Sequence, residues 1–420
     1  MRPWVAPTPA GPVTGSLTVP GSKSATARGY VLAALGDGPS VLTGVLDARD
    51  TRLMRAALAS LGVDVTDLAP GVVRVAPPAV FTPGDIHCGL AGTIMRFVPA
   101  LAALADGPTR FRGDPEASAR PVAPLLDGLG QLGVRVDHPA SVPFTVHGTG
   151  AVPGGTARID ASASSQFVSG LLLAAARFDA GLELVHAGAR VPSPPHIRMT
   201  LAMLADRGVV ASASANDTAW RVAPGPIAAR DETIEPDLVN AATFLAAALV
   251  TGGAVTVPWP RHTVQASDAI LGTLAALGGE VDARTDTVTV SGTGTVTGAD
   301  VDLTLASELT CVVAALLALA DRPGSIRGVG HVRHHETDRL AALTAELGAR
   351  GARVAETADG LTIAPGRLTG GPWRTYADHR MAHAGAVLGL AVAGVELDDV
   401  DATTKTIADF GTLWHTLVAA

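Results

Sequence analysis

Ser164-Ser165-Gln166 opens the apolar run Phe167 to Ala176, and the reading of this stretch decides the fold. A polar, donor-rich corner feeds directly into an apolar run that reads as a helix. The corner then falls at the helix's positive end, where unpaired backbone N–H groups and the macrodipole favour an anion. The same design returns at intervals of about 70 residues. The six apolar runs are Tyr30 to Leu35, Ile94 to Ala105, Phe167 to Ala176, Ala241 to Val250, Leu309 to Ala320 and Met381 to Ala393. Each leads to a glycine-marked turn (Gly38, Gly107, Gly181, Gly253, Gly324, Gly394) and an alternating stretch that reads as a strand. A second marker keeps the same period: Leu61-Gly62-Val63, Leu132-Gly133-Val134, Arg207-Gly208-Val209, Leu277-Gly278-Gly279 and Leu347-Gly348-Ala349 each close an amphipathic helix and start another strand. Two independent markers at one period predict six copies of a unit of two helices and several strands; ordinary α/β alternation with coincidental spacing is the alternative.

A chain of 420 residues exceeds one core and implies two domains or one large repeat assembly. Hydrophobic residues make up 47% and aromatics only 4%, so the interior must be built from Ala, Leu and Val. Helices apolar on nearly every face cannot stand at a surface, which points to helices inside and sheets outside. The net charge of -8, with no block of Lys or Arg, argues against a nucleic-acid surface. Cys88 and Cys311 offer neither a disulfide framework nor metal-ligand spacing and read as small buried hydrophobes. Met1 to Gly15 lacks the apolar core of a signal peptide, and no run reaches the ~18 apolar residues of a membrane span, so a cytoplasmic protein is expected.

In chain order, the first fourteen residues are Pro-rich and expected to be loosely ordered before a strand from Ser16 to Val19. Pro20-Gly21-Ser22-Lys23-Ser24-Ala25-Thr26-Ala27-Arg28 reads as a small-residue turn with two cations, the parts of a phosphate cradle, and a solvated surface turn is the plainer reading. Gly89-Leu90-Ala91-Gly92-Thr93-Ile94-Met95-Arg96 repeats the recipe, followed by Arg120-Pro121, the Ser-Ser-Gln corner and Ser193-Pro194-Pro195-His196. Pro224 to Pro226 and the charged stretch to Glu235 read as a boundary after three units. The second half opens its helices with acids: Asp237 with Asn240, Glu308, His335-Glu336-Thr337-Asp338-Arg339 and Asp378-His379-Arg380. An N-cap or first-turn carboxylate is the plain reading of any one of these, and it suits Asp338 well. An arginine at a helix start opposes the dipole unless an anion sits beside it, and Arg96, Arg339 and Arg380 repeat that oddity. Lys405 lies in the tail.

Together these motifs resemble the 5-enolpyruvylshikimate-3-phosphate synthases (3-phosphoshikimate 1-carboxyvinyltransferases), from Pro20-Gly21-Ser22-Lys23-Ser24 through Ala91-Gly92-Thr93, Arg120-Pro121, Ser164-Ser165-Gln166, Glu336-Thr337-Asp338-Arg339 and Asp378-His379-Arg380 to Lys405. The resemblance implies an inside-out α/β fold of two domains, each of three repeated α/β units with buried helices and outer sheets. The first domain is about residues 21–232, the shikimate 3-phosphate side. The second is 1–20 plus 233–420, the phosphoenolpyruvate and acid/base side, with the active site in the cleft between them. It implies transfer of the enolpyruvyl group of phosphoenolpyruvate to the 5-hydroxyl of shikimate 3-phosphate, by addition and elimination, in a monomer with no metal and no cofactor.

Carried over residue by residue, Ser24, Arg28, Thr93, Ser164, Ser165, Gln166 and Ser193 are expected to bind shikimate 3-phosphate, with Lys23, Glu308 and His335 also on that substrate. Lys23, Gly92, Arg120, Gln166, Arg339, Arg380 and Lys405 are expected around phosphoenolpyruvate, with Arg96 nearby. Glu336 is the expected acid and base at the methylene carbon, Glu308 contacts the reacting hydroxyl, Lys23 shares proton transfer and His379 orients the pyruvyl group. Leu90, His196, His331 and His335 depart from the family's common Asn, Tyr, Asn and Lys, and Glu308 stands where Asp is usual. So many converging cations are expected to repel one another until anions bind. The sister family, UDP-N-acetylglucosamine enolpyruvyl transferases, has Lys-Asn where this chain has Lys23-Ser24. A catalytically inactive binding protein would lose the acids that this chain keeps.

Overall fold

A helix apolar on every side is stable only where every side is covered. The computed structural model, which describes residues 3–137 and 140–419, covers six such helices in two groups of three. The chain divides into one unit from Gly21 to Glu235 and a second made of the chain up to Pro20 and from Pro236 onward. In the first, helices Lys23–Ala34, Gly92–Ala102 and Ser165–Ala175 pack on one another, and in the second Leu238–Thr251, Thr310–Ala318 and His379–Gly389 do the same. Twelve of the fourteen residues of Leu238–Thr251 are buried, where a surface helix would bury one stripe. Each Leu or Val so covered contributes about 1.5–3 kcal/mol, which offsets the poverty in aromatics.

The sheets follow one pattern. In the second copy, strand Asp85–His87 runs parallel to Asp106–Arg112, the Gly92–Ala102 helix connecting them; helix Ala123–Gln131 then leads to the hairpin Arg135–Asp137 and Phe144–Thr149, which completes the sheet antiparallel. The order along the sheet is first, second, fourth, third strand, and it recurs in five four-stranded sheets among the described residues. Two copies are completed from afar. Glu232–Thr233 supplies the parallel strand of the first copy, pairing Glu232 with Leu42 and Thr233 with Thr43, and Thr14–Ser16 supplies that of the fourth, pairing Thr14 with Ala254. These borrowed strands lie in sequence next to the points where the chain passes from one unit to the other.

Four local expectations change. The first buried helix begins at Lys23, so Lys23 to Arg28 forms its first turns rather than a loop; Ser22 caps it and small residues let it start early. The N-terminal segment is paired rather than loose: Trp4–Val5 lies antiparallel to Val395–Leu397, the strand that follows is Thr14–Ser16 rather than Ser16 to Val19, and Ala6, Val13 and Val19 are buried. Edge positions tolerate the prolines that mark it as irregular. Leu347-Gly348-Ala349 lies inside the last turn of helix Arg339–Ala349, and Gly351 (φ 105°) takes the left-handed turn. The sixth copy keeps its parallel pair, Gly371–Trp373 with Val395–Leu397, but ends in a 3₁₀ turn, Val400–Lys405, and helix Phe410–Ala419, with Trp4–Val5 as its third strand.

Two buried helices approach closely at Gly170, where a Cβ would overlap the Arg96 carbonyl oxygen. Gly170→Ala is expected to lower stability by about 1–3 kcal/mol through overpacking. Gly272→Ala, on an exposed helix position with nothing within 4 Å of the new methyl, is expected to raise it by up to ~1 kcal/mol. Urea unfolding of the two variants checks the contrast, and equal effects would contradict the packing.

Candidate active site

The three buried helices of the Gly21–Glu235 unit start from neutral caps. Ser22 Oγ accepts from the Ala25 N–H at 3.3 Å, Ser164 Oγ accepts from the Gln166 N–H at 3.2 Å, and Ala91 precedes Gly92 with no side-chain bond. No carboxylate therefore caps these positive ends. Arg28, 1% exposed, donates to Thr200 Oγ1 at 2.8 Å, the Ser24 carbonyl at 2.9 Å, Ser169 Oγ at 3.2 Å and the His196 carbonyl at 3.0 Å, and packs over the Phe97 ring. Every one of these partners is neutral. Burial lowers its pKa to about 9, so the guanidinium stays charged at neutral pH with no counter-ion among the described residues.

A second arginine joins the neighbouring corners. Arg96 donates to Gln166 Oε1 at 2.8 Å and to the Pro121 carbonyl at 3.0 Å, and lies over Phe167. Arg120 donates to the Leu90 carbonyl at 2.5 Å, while its Nε is buried without a hydrogen-bond partner among the described residues. A Cβ on Gly92 would lie 2.9 Å from Arg120 Nη2 and 3.1 Å from Arg96 Nη1, so glycine lets both guanidiniums approach the helix start. Thr93 and Ser165 are buried on first turns, and Lys23 and Ser24 are part-buried on theirs. Ser193 holds φ 49° as the cap of helix Pro194–Ala205. Leu90 and His196 serve here through backbone carbonyls, which explains why their side-chain departures leave the framework intact.

The other unit arranges its charges differently. Arg339, 1% exposed at the first position of its helix, donates to Asp378 Oδ2 at 2.8 Å and Oδ1 at 3.2 Å, to Glu308 Oε2 at 3.1 Å and to Glu336 Oε2 at 3.0 Å. Burial works against its charge, but Asp378, Glu308 and Glu336 more than offset that and hold it firmly protonated. Glu336 is also ion-paired with Lys405. Arg380 donates to Asn240 Oδ1 at 2.8 Å, with Glu308 at 3.6 Å, and Asp378 caps that helix through the Arg380 N–H at 2.8 Å. Burial alone would raise the Glu308 carboxyl, yet nearby positive charge, the Arg339 guanidinium foremost, pulls it well below the usual range. Glu308 remains 26% exposed, within reach of a ligand, whereas Arg339 and Asp378 are sealed. His379 Nδ1 lies 3.5 Å from Asp378 Oδ1.

One expectation about charge is corrected, and the open question of the charge at His335 is answered. The anions that relieve Arg339 are three of the protein's own carboxylates, and Arg339, Arg380 and Lys405 alternate with Glu308, Glu336 and Asp378 instead of standing as bare, mutually repelling cations. His335 does not supply the charge of the lysine it replaces: burial, and then Arg339, push its pKa well below the ordinary value, and neutral Nδ1 accepts from Arg339 Nη1 at 2.9 Å. His331 contacts Ser307 Oγ at 3.1 Å and is likewise neutral, its pKa lowered to about 4 by burial. Sequence reading offered Asp378 as a helix cap, which it is, but not as the counter-ion of Arg339; it noted Asn240 only as part of a polar corner and did not single out Ser169 or Thr200. Hydroxyls at positions 169 and 200, each facing an otherwise apolar core, were the available signal. Among the described residues there is no group of three or more His, Cys, Asp or Glu suited to a metal ion, and no helix is long and apolar enough to cross a membrane.

The family model of EPSP synthase (3-phosphoshikimate 1-carboxyvinyltransferase) matches residues 7–414. The chain belongs to this family. A curated 3-phosphoshikimate 1-carboxyvinyltransferase of Kocuria rhizophila is 52% identical over 432 aligned residues, covering 99% of this chain and 97% of that one. Two solved EPSP synthases of Acinetobacter baumannii share the fold at 20% identity, with TM-scores of 0.81 and 0.80; they cover 99% and 98% of this chain and each is covered over 97% of its own length. The comparisons do not favour the UDP-N-acetylglucosamine transferase reading.

In this EPSP synthase family member, buried neutral histidines link stability to pH. His383 is fully buried beside Phe410, and burial holds it well below its ordinary value, as with His335. In the unfolded chain these imidazoles take up protons below about pH 6.5, while in the folded protein they do not until much lower, near pH 4 for His331. The unfolded state binds more protons in that window, so stability is full above pH ~6.5 and falls toward pH ~4 by about 1.4 kcal/mol per pH unit for each histidine. Urea midpoints at pH 7 and pH 5 measure this. His383→Leu should flatten the slope, and midpoints independent of pH would contradict it.

Proposed function

We propose that the protein transfers the enolpyruvyl group of phosphoenolpyruvate to the 5-hydroxyl of shikimate 3-phosphate and releases phosphate, the reaction that its family name describes. The observation that carries the chemistry is Glu336, a carboxylate clamped between Arg339 and Lys405. Phosphoenolpyruvate brings a phosphate and a carboxylate, and these compete for the same cations. As they take Arg339 and Lys405, Glu336 loses its counter-ions and its affinity for a proton rises. Protonated from solvent as the donor binds, it then gives that proton to the methylene carbon of phosphoenolpyruvate while the 5-hydroxyl attacks C2. Glu308 receives the hydroxyl proton. In the second half Glu336 takes a proton back from the methyl group as the C–O bond to phosphate breaks, and the proton held by Glu308 leaves with the released phosphate, so both carboxyls end as they began.

Roles follow from chemistry on each side. Arg28, Ser24, Thr93, Ser164, Ser165, Gln166 and Ser193 hold shikimate 3-phosphate, and the buried, uncompensated charge of Arg28 gives its carboxylate a partner that no protein group supplies. Lys23, Gly92, Arg120, Gln166, Arg339, Arg380 and Lys405 surround phosphoenolpyruvate, and His379 orients its pyruvyl end. Residues 21–232 form the acceptor domain, and 1–20 plus 233–420 the donor and acid/base domain. Addition and elimination call only for proton transfer and charge neutralisation, so activity in chelator is expected. The protein is proposed to work as a cytoplasmic monomer.

Phosphate release and product mass in chelator, with UDP-N-acetylglucosamine as the parallel acceptor, test the reaction. A binding-only protein would be thermally stabilised by shikimate 3-phosphate without releasing phosphate. Glu336→Gln is expected to lower kcat by about 10²–10⁴ with shikimate 3-phosphate binding kept within severalfold. Equal loss of binding and rate would contradict the acid/base role.

A further inference from the structure

The corner that delivers Asp378 and Arg380 is reached through backbone that ordinary side chains avoid. Tyr376 (φ 55°) and Ala377 (φ 53°) are consecutive non-glycine residues in the left-handed region, immediately before Asp378. Each pays steric strain, and such strain persists only where surrounding contacts over-determine it. Those contacts are specific. The Tyr376 hydroxyl donates to Glu346 Oε1 at 2.7 Å, the Arg374 N–H donates to Glu346 Oε2 at 3.2 Å, and the Arg374 guanidinium lies over the Tyr376 ring. Thr375 donates from its N–H and its hydroxyl to Asp398 Oδ1 at 2.9 and 2.8 Å. Burial first, and then Glu346, raise the Tyr376 phenol, so it remains the donor.

Glu346 and Arg339 lie on one helix, Arg339–Ala349. At its start Arg339 grips Asp378 through two nitrogens, and two turns later the buried Glu346 grips Arg374 and Tyr376. The helix thus clasps the strained loop at both ends, and the loop's exit sets where Asp378 and Arg380 stand. We propose that Tyr376 and Glu346 are positioning residues for the donor-anion corner, fixing the register between Arg339, Asp378 and Arg380 without touching substrate. Neither belongs to the ion cluster, and sequence reading gave neither a role. This rests on the proposal that Arg339 and Arg380 receive phosphoenolpyruvate.

The test compares wild type, Tyr376→Phe and Tyr376→Phe with Ala377→Gly in steady-state kinetics, thermal unfolding and shikimate 3-phosphate binding in the absence of phosphoenolpyruvate. Wild-type turnover is measured first, so failure of the reaction itself is seen separately. Tyr376→Phe removes one oxygen and should raise KM for phosphoenolpyruvate about tenfold, the size of one lost charge-assisted hydrogen bond, with shikimate 3-phosphate affinity unchanged within about twofold. Because glycine occupies the left-handed region without strain, the double variant should recover at least about half of that loss on a logarithmic scale. Unchanged KM for phosphoenolpyruvate in Tyr376→Phe overturns the proposal. So does a parallel fall in thermal stability and in affinity for both substrates, which marks a merely structural bond.

Discussion

The buried guanidinium of Arg339 is the interaction on which the proposed donor-side chemistry depends. Placing a cation at a helix start opposes the dipole, and sealing it from water opposes it further, so three carboxylates from three chain segments must converge to hold it. Asp378 is sealed with it and acts as the permanent counter-ion, while Glu308 and Glu336 are 26% and 9% exposed. One fixed pair and two displaceable ones make a site that is neutral at rest and can rearrange when anions arrive. Removing a partner from such a buried pair costs about 3–5 kcal/mol, which makes the cluster structural as well as chemical.

The two units treat the positive ends of their buried helices in opposite ways with one architecture. Where the helix caps are Ser22, Ala91 and Ser164, no carboxylate caps the positive ends, and Arg28 sits among neutral partners that can position it but not discharge it. Where the caps are Asp237 and Asp378, with Glu308 entering the third helix, the protein's own acids already occupy the positive ends, and Lys and Arg must bring the surplus. The first arrangement favours tight, passive holding of an anion. The second suits the proposed proton traffic, because Glu308 and Glu336 are each poised against cations that the proposed donor would draw away.

Much of the fold was legible because each apolar run had to be a covered helix and the two glycine markers kept one period. What escaped was long-range. Trp4–Val5 read as part of a loose Pro-rich lead, and the strand Thr14–Ser16 as one starting two residues late, because their partners lie some 240 residues or more away and no local pattern announces a borrowed strand. Lys23 to Arg28 read as a turn because small residues leave helix and loop equally open until Ser22 caps one of them. At the site, residue types were readable from motifs, but pairings were not: Arg339 with Asp378 spans 39 residues, and the neutrality of His335 follows from burial beside Arg339 rather than from its neighbours in sequence. The carbonyl roles of Leu90 and His196 could not be read from side chains at all.

The central claim is that donor anions take cations from Glu336 and so make it basic enough to carry a proton. Calorimetric titration of an unreactive phosphoenolpyruvate mimic into the shikimate 3-phosphate complex, in buffers of different ionisation heat, measures this directly. Uptake of up to about one proton on binding near neutral pH, lost in Glu336→Gln, is the predicted result. Binding with no proton uptake, or with the same uptake in Glu336→Gln, would contradict it.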